Sequence, residues 1–212
     1  VRKLKYVLKR ALFRLSPGVA AHCNIDFRLH APNRAFLENE IFTYVNRLAA
    51  ESDAGLDFLF VGLDKHNWHY PRLLSVDFHS LDLKKKNAVY GRRGRHKVGN
   101  AMQMAELYAE NAFDVVVANG LIGFGVDTQA DFHRLIAQCH WVLKPGGLLV
   151  LGYNDRLERA PFPVDVDGNG GFDEFVPDIV GVRGARHHMD DEHRHVYVFS
   201  RKTGHLGNLP NG

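Results

Sequence analysis

Apolar positions along the chain follow two different periods. Val1, Leu4, Val7, Leu8, Ala11, Leu12 and Leu15 fall on one side of a 3.6-residue turn, which predicts an amphipathic helix that Ser16-Pro17-Gly18 ends. The same spacing predicts a second helix over residues 33–50, with Asn33 as its N-cap and Glu38 and Glu40 in the early turns. Its apolar side is Phe36, Leu37, Ile41, Tyr44, Val45 and Leu48. Ser52-Asp53-Ala54-Gly55 reads as a loop.

From Leu56 short apolar runs replace the helical period. Leu56 to Leu63 (LDFLFVGL), Phe113 to Ala118 (FDVVVA) and Leu148 to Leu151 (LLVL) have the continuous apolar character of strands buried on both faces. Phe78 to Leu83 predicts another strand, and His96 to Val98 a short one. Between them, residues 70–74, 101–110 and 128–143 are helix-compatible, the last with Phe132, Leu135, Ile136, Cys139, Val142 and Leu143 on one side. Strands that alternate with helices predict an α/β fold with a mostly parallel central sheet and helices on both faces. Residues 193–202 (HRHVYVFSRK) alternate as an antiparallel closing strand, residues 165–172 are rich in turn formers, and residues 204–212 read as a frayed tail. Right-handed crossovers bring the C-terminal ends of parallel strands to one edge, where a ligand crevice is expected at the switch in strand order. The chain thus divides into an N-terminal helical segment, 1–50, a sheet-containing domain, 51–203, and the tail.

At 212 residues the chain is long enough for one sizeable core. Its net charge of +3 is local in origin. Arg2, Lys3, Lys5, Lys9, Arg10 and Arg14 lie in the first helix with no acid among them, which leaves 21 basic residues against 24 acids elsewhere. A mildly acidic body argues against nucleic acid as a partner. The basic helix has two readings: peripheral contact with an anionic membrane through residues 1–15, or packing on the domain or on a second subunit, as in a homodimer. Cys23 and Cys139 are isolated, so neither a disulfide framework nor a cysteine zinc site is expected. Charges interrupt the apolar N-terminal positions, so no signal peptide is read there. No stretch approaches the ~20 apolar residues of a membrane span. A cytoplasmic location is expected, peripheral to a membrane under the first of the two readings of the basic helix.

The most specific stretch is Phe113 to Gly152. FDVVVANGLIGFG, then a helix, then VLKPGGLLVLG, resembles the second half of the class I S-adenosylmethionine-dependent methyltransferases. Pro145 cannot continue a helix, and Gly146-Gly147 permit the turn into a buried strand. The resemblance implies a Rossmann-like methyltransferase fold and S-adenosyl-L-methionine as cofactor. In such proteins the first strand runs into a glycine-rich loop beside the methionine part of the cofactor. Here Gly62 matches the first glycine, flanked by Val61 and Leu63, whereas Asp64 and His66 stand where the next two glycines would be. Phe60 stands where an acid is common. Asp82, followed by Leu83, matches the acid that accepts both ribose hydroxyls; a carboxylate suits a vicinal diol because it offers only acceptors. Asn100, Ala101 and Met102 match the adenine neighbours. Asn119-Gly120 stands at the rim where cofactor and acceptor meet, or forms a plain Asn-Gly turn.

His187, His188, His193 and His195, among Asp190, Asp191 and Glu192, have the chemistry of zinc or iron ligands. Spacing alone builds no cage, so no metal is assigned and the segment reads as a solvated or acceptor-facing loop. His66, His69 and His133 are bases by chemistry alone, and no catalytic residue is assigned. His66, Trp68, His69 and Tyr70 lie near the expected crevice as cover for a cofactor or as packing. The methyl acceptor stays open between a small molecule and a glycan- or lipid-linked intermediate. A second reading is a non-catalytic binding or scaffold protein of the same fold. A nicotinamide oxidoreductase is disfavoured, because the residues after Gly62 are too bulky for the G-x-G-x-x-G turn.

Overall fold

A computed structural model of the chain describes residues 2–203; the tail expected over 204–212 lies outside them. Helix α1 (Arg2–Leu15) is followed by α2 (Pro17–His22), α3 (Pro32–Phe36), one π-helical turn (Leu37–Ile41) and α4 (Phe42–Glu51). The alternating part comprises β1 (Asp57–Val61), α5 (Tyr70–Leu73), β2 (Asp77–Asp82), β3 (His96–Val98), β4 (Phe113–Asn119), α6 (Gln129–Val142) and β5 (Leu143–Asn154). Three closing strands complete it: β6 (Phe172–Glu174), β7 (Arg186–His188) and β8 (His195–Lys202).

The strands form one sheet in the order β3-β2-β1-β4-β5-β8-β6, with β7 also paired to β8. The first five are parallel, and β8 runs antiparallel to β5, pairing Asn154 with His195 and Leu148 with Arg201. β6 and β7 lie along the outer edge of β8, against residues 200–202 and 196–198 respectively. The mostly parallel sheet with an antiparallel closing strand is therefore the observed architecture.

Alternation along the strands sorts the core into two layers. Leu59, Val116, Leu149 and Leu151 face α6 through Phe132, Leu135, Ile136 and Cys139. Phe58, Phe60, Val117 and Val150 face the N-terminal helices through Leu37, Ile41, Phe42 and Val45. Helices thus cover both faces.

Several local expectations need correction. Asn33 is not the N-cap: Ala31 holds that position, and Pro32 opens the helix with its φ already set. Residues 101–106 form a 3-10 helix kinked at Gln103, whose backbone is non-helical (φ −140°, ψ 31°), and the element ends at Glu106 rather than running to residue 110. β5 begins before the Pro-Gly-Gly turn: Leu143 already pairs with Phe113, and the turn is a bulge before the register resumes at Val115 and Leu148. Lys144 within it bonds both Asp57 (2.9 Å) and Asp114 (2.8 Å), tying the lower ends of β1 and β4 together.

Candidate functional site

β1 and β2 leave the sheet side by side. Gly62 N–H donates to the Leu81 carbonyl at 2.8 Å, so the bend after β1 meets the end of β2 where Asp82 stands. Gly62 has a φ of +93°, and a side chain there would lie 3.3 Å from Leu121. Only glycine meets both conditions without strain.

The loop after Gly62 closes on itself. Asp64 N–H donates to Asn67 Oδ1 (2.6 Å), His66 N–H to Asp64 Oδ1 (2.7 Å), and Asn67 Nδ2 to the Gly62 carbonyl (3.2 Å). Asp and Asn side chains here take the amides that a glycine-rich turn leaves open. The N-terminal segment clamps this loop: Trp68 Nε1 donates to Asp26 (3.0 Å), and His66 Nδ1 bonds the Phe27 carbonyl (2.7 Å). These two contacts hold the segment whose Leu29, His30 and Ala31 line the site.

Asp82 Oδ1 accepts from Lys84 N–H (2.7 Å) and Asn87 Nδ2 (2.9 Å). Oδ2 makes no hydrogen bond among the described residues and is available to a ligand. Asp82, Gly62, Asn119 and Gly120 line one cleft of about 950 Å³ at the C-terminal edge of the parallel strands. The remaining predicted residues do not line it. Val61 and Leu63 are buried in the core, and Leu83 is exposed. Asn100 caps its own 3-10 helix, accepting from Met102 N–H (2.9 Å), with Ala101 and Met102 packed against the α6-side core.

Across the cleft from Asp82 the expected Asn119 is joined by His195, Asn33 and Arg34, which the sequence pattern did not assign to the site. His195, at the start of β8, is 3% exposed. Its Nδ1 lies 2.8 Å from Asn154 Oδ1, an oxygen that can only accept. Nδ1 therefore carries the proton, and Nε2 presents a lone pair with no partner. Burial pushes this imidazole down to about 4, against the upward pull of Asp191 and with Arg34 and His193 adding to the fall. Asn119 Oδ1 is likewise buried and unpaired. A side chain at Gly152 would collide with Asn119 Oδ1 and lie 3.0 Å from His195 Nε2, so both atoms crowd over that glycine. Asn33, which also lines the cleft, has an unpaired buried Oδ1. Arg34, also in the lining, donates toward Tyr70 Oη at 3.4 Å. The period-2 run before Lys202 was the only sequence signal that could place His195 at the sheet edge.

Of the other histidines, His66 lines the cleft, His69 faces Glu38 at 3.1 Å and His133 is exposed on α6. His187 stacks on Phe36 with ring centroids 4.5 Å apart. Among the described residues no group of three or more His, Cys, Asp or Glu is arranged to hold a metal ion.

The family model described as a methyltransferase domain matches residues 60–151. The solved N-methyltransferase NodS from Bradyrhizobium japonicum superposes with a TM-score of 0.55 over 77% of this chain and 94% of that one, at 14% identity. The chain has the fold of the class I S-adenosylmethionine-dependent methyltransferase family. A demethylmenaquinone methyltransferase from Geobacillus stearothermophilus is 27% identical over 146 residues, which is 65% of this chain; the chain spans about 60% of that relative's length. The methyltransferase fold does not fix the reaction: the [4+2]-cyclase SpnF superposes with a TM-score of 0.50 over 76% of this chain and 80% of that one, at 16% identity.

The residues of the cleft fit the cofactor of that family. NodS has been solved with S-adenosyl-L-homocysteine bound, and that complex superposes with a TM-score of 0.54. In the present chain, Asp82 Oδ2 is suited to the ribose diol. Gly62 leaves the end of β1 bare, and the unpaired Asn119 Oδ1 suits a donor such as an ammonium.

Proposed function

We propose that the protein transfers a methyl group from S-adenosylmethionine to a hydroxyl-bearing acceptor. The observation that supports this is the convergence of Gly62, Asp82, Asn119 and His195 on one cleft at the C-terminal edge of the sheet. The cofactor supplies a methyl group on a sulfonium, already activated for displacement. Asp82 holds the ribose, and Gly62 lets the chain approach the ligand. The acceptor sits by Asn119 and His195, close enough for in-line attack.

The state of His195 narrows the acceptor. An attacking hydroxyl becomes a strong acid as its oxygen gains a methyl group, so even a weakly basic imidazole with a free Nε2 takes its proton. An amine attacks only after it loses the proton that it holds up to about pH 10, as a lysine does. An imidazole near 4 cannot remove that proton, so the site suits oxygen.

Titration calorimetry with S-adenosylhomocysteine tests the cofactor grip. The wild type is expected to bind, and Asp82→Asn to bind roughly thirtyfold more weakly, the loss of one charge-assisted hydrogen bond of about 2 kcal/mol. One observation favours a second reading, a non-catalytic member of the fold: the Asp64–Asn67 turn engages loop amides that a glycine-rich turn would leave open. Absence of both heat and a thermal shift at saturating ligand selects that reading.

A further inference from the structure

Helix α1 is seated against the expected polarity. Among its described side chains the buried one is Phe13, 1% exposed, which lies among Phe27 (centroids 4.8 Å), Trp68 (5.6 Å) and Tyr90 (5.8 Å). The stripe of Val7, Leu8, Leu12 and Leu15 is 60%, 61%, 40% and 83% exposed. At 3.6 residues per turn Phe13 falls on the opposite side, among the basic positions. The helix therefore docks through Phe13, on the side away from the apolar stripe, and turns that stripe outward. Val19 in α2, 58% exposed, adds to the apolar surface.

The charge carried by the helix itself is of one sign. The sequence of α1 carries six basic residues and no acid. Beside its end, a recess of about 170 Å³ is lined by Arg14, Lys65, Lys84 and Lys86, with Asp64 as its one acidic residue. None of these four cations makes an ion pair among the described residues. We propose that the outward face of α1 docks on an anionic lipid surface, its leucines entering the acyl boundary and its cations meeting the headgroups. An apolar stripe flanked by cations has the chemistry of an interfacial helix. A second copy is the poorer occupant, because a twofold contact would bring one all-basic helix against another. Asp64, Lys84 and Asn87 line both the recess and the large cleft, so docking would set the cleft beside the lipid surface. The proposal stands apart from the methyl-transfer reading.

Co-sedimentation of the full chain with phosphatidylcholine vesicles, with and without phosphatidylglycerol, tests it. The chain is expected to pellet only with the anionic vesicles, and less so as salt is raised. Replacing Leu8, Leu12 and Leu15 together by serine is expected to lower partitioning roughly a hundredfold or more. Arg14→Glu and Lys86→Glu should each lower it by roughly fivefold or more. Because all these positions are exposed, the thermal midpoint of each variant should match the wild type. The proposal fails if the chain ignores anionic vesicles, or if the triple serine variant pellets as well as the wild type. It also fails if light scattering finds a dimer that this variant dissociates and no vesicle binding accompanies it.

Discussion

His195 is neutral because of where β8 places it, and that carries a cost in acid. Buried and bonded through Nδ1 to Asn154, the folded imidazole titrates at about 4, whereas the unfolded one titrates near 6.5. Between those values the unfolded chain binds a proton that the folded chain refuses. Its contribution is therefore complete above about pH 6.5 and is lost as pH falls toward 4. At about 1.4 kcal/mol per tenfold change in proton affinity, the loss is about 3 kcal/mol. His140 on α6 is also pushed to about 4, by burial first and by Lys202, and falls in the same window. Urea unfolding at about pH 7 and about pH 4.5 should show this loss, and His195→Asn should lose less on acidification than the wild type. Equal losses would remove the buried neutral imidazole from the account. Next to His195, Gly152→Ala drives a methyl into Asn119 Oδ1. It is expected to cost about 1–3 kcal/mol in thermal or urea unfolding and to weaken S-adenosylhomocysteine binding.

Among the elements, the turn between β1 and α5 departs furthest from the glycine-rich pattern of the class I methyltransferase fold. Asn67 is its keystone: 7% exposed, it accepts from Asp64 N–H and donates to the Gly62 carbonyl. Asn67→Ala leaves both groups without a partner and is expected to cost about 1–3 kcal/mol in urea unfolding. Calorimetry should show a matching loss of S-adenosylhomocysteine affinity, because Gly62 is then no longer held at the cleft. The departure was visible in the sequence as Asp64 and His66 at glycine positions. The compensation was not, since it depends on side chains folding back on their own backbone and on Asp26 and Phe27 arriving from some 40 residues earlier. The buried strands were legible because each is apolar throughout, and Asp82 because it ends the second of them. β6 and β7 were not, because three-residue strands are defined by the edge of β8 rather than by their own pattern. His195 was hidden in a cluster of histidines whose separation into exposed and buried members is set by the register of β8 on β5.

For the molecule as a whole, the N-terminal helices do two different jobs, and truncation separates them. Residues 2–31 contribute Phe13 and Ala20 to the fully buried core, but they supply the cleft wall at Leu29, His30 and Ala31 and the clamp at Asp26 and Phe27. Residues 32–51 contribute Leu37, Ile41, Phe42 and Val45, each at most 1% exposed, to the same layer as Phe58 and Phe60. Burying one such side chain is worth about 1.5–3 kcal/mol, so losing four removes an amount comparable to the roughly 5–15 kcal/mol that holds a domain folded. A chain that starts at residue 32 should therefore still melt cooperatively, at a lower temperature, and lose most of its affinity for S-adenosylhomocysteine. A chain that starts at residue 52 should show no cooperative melt, because one face of the sheet has lost its cover. Calorimetric melting and ligand titration on the two truncations distinguish these outcomes. If the shorter truncation bound ligand as tightly as the full chain, the cleft would have to be complete without its N-terminal wall. The contacts of Asp26 and Phe27 would then be packing alone.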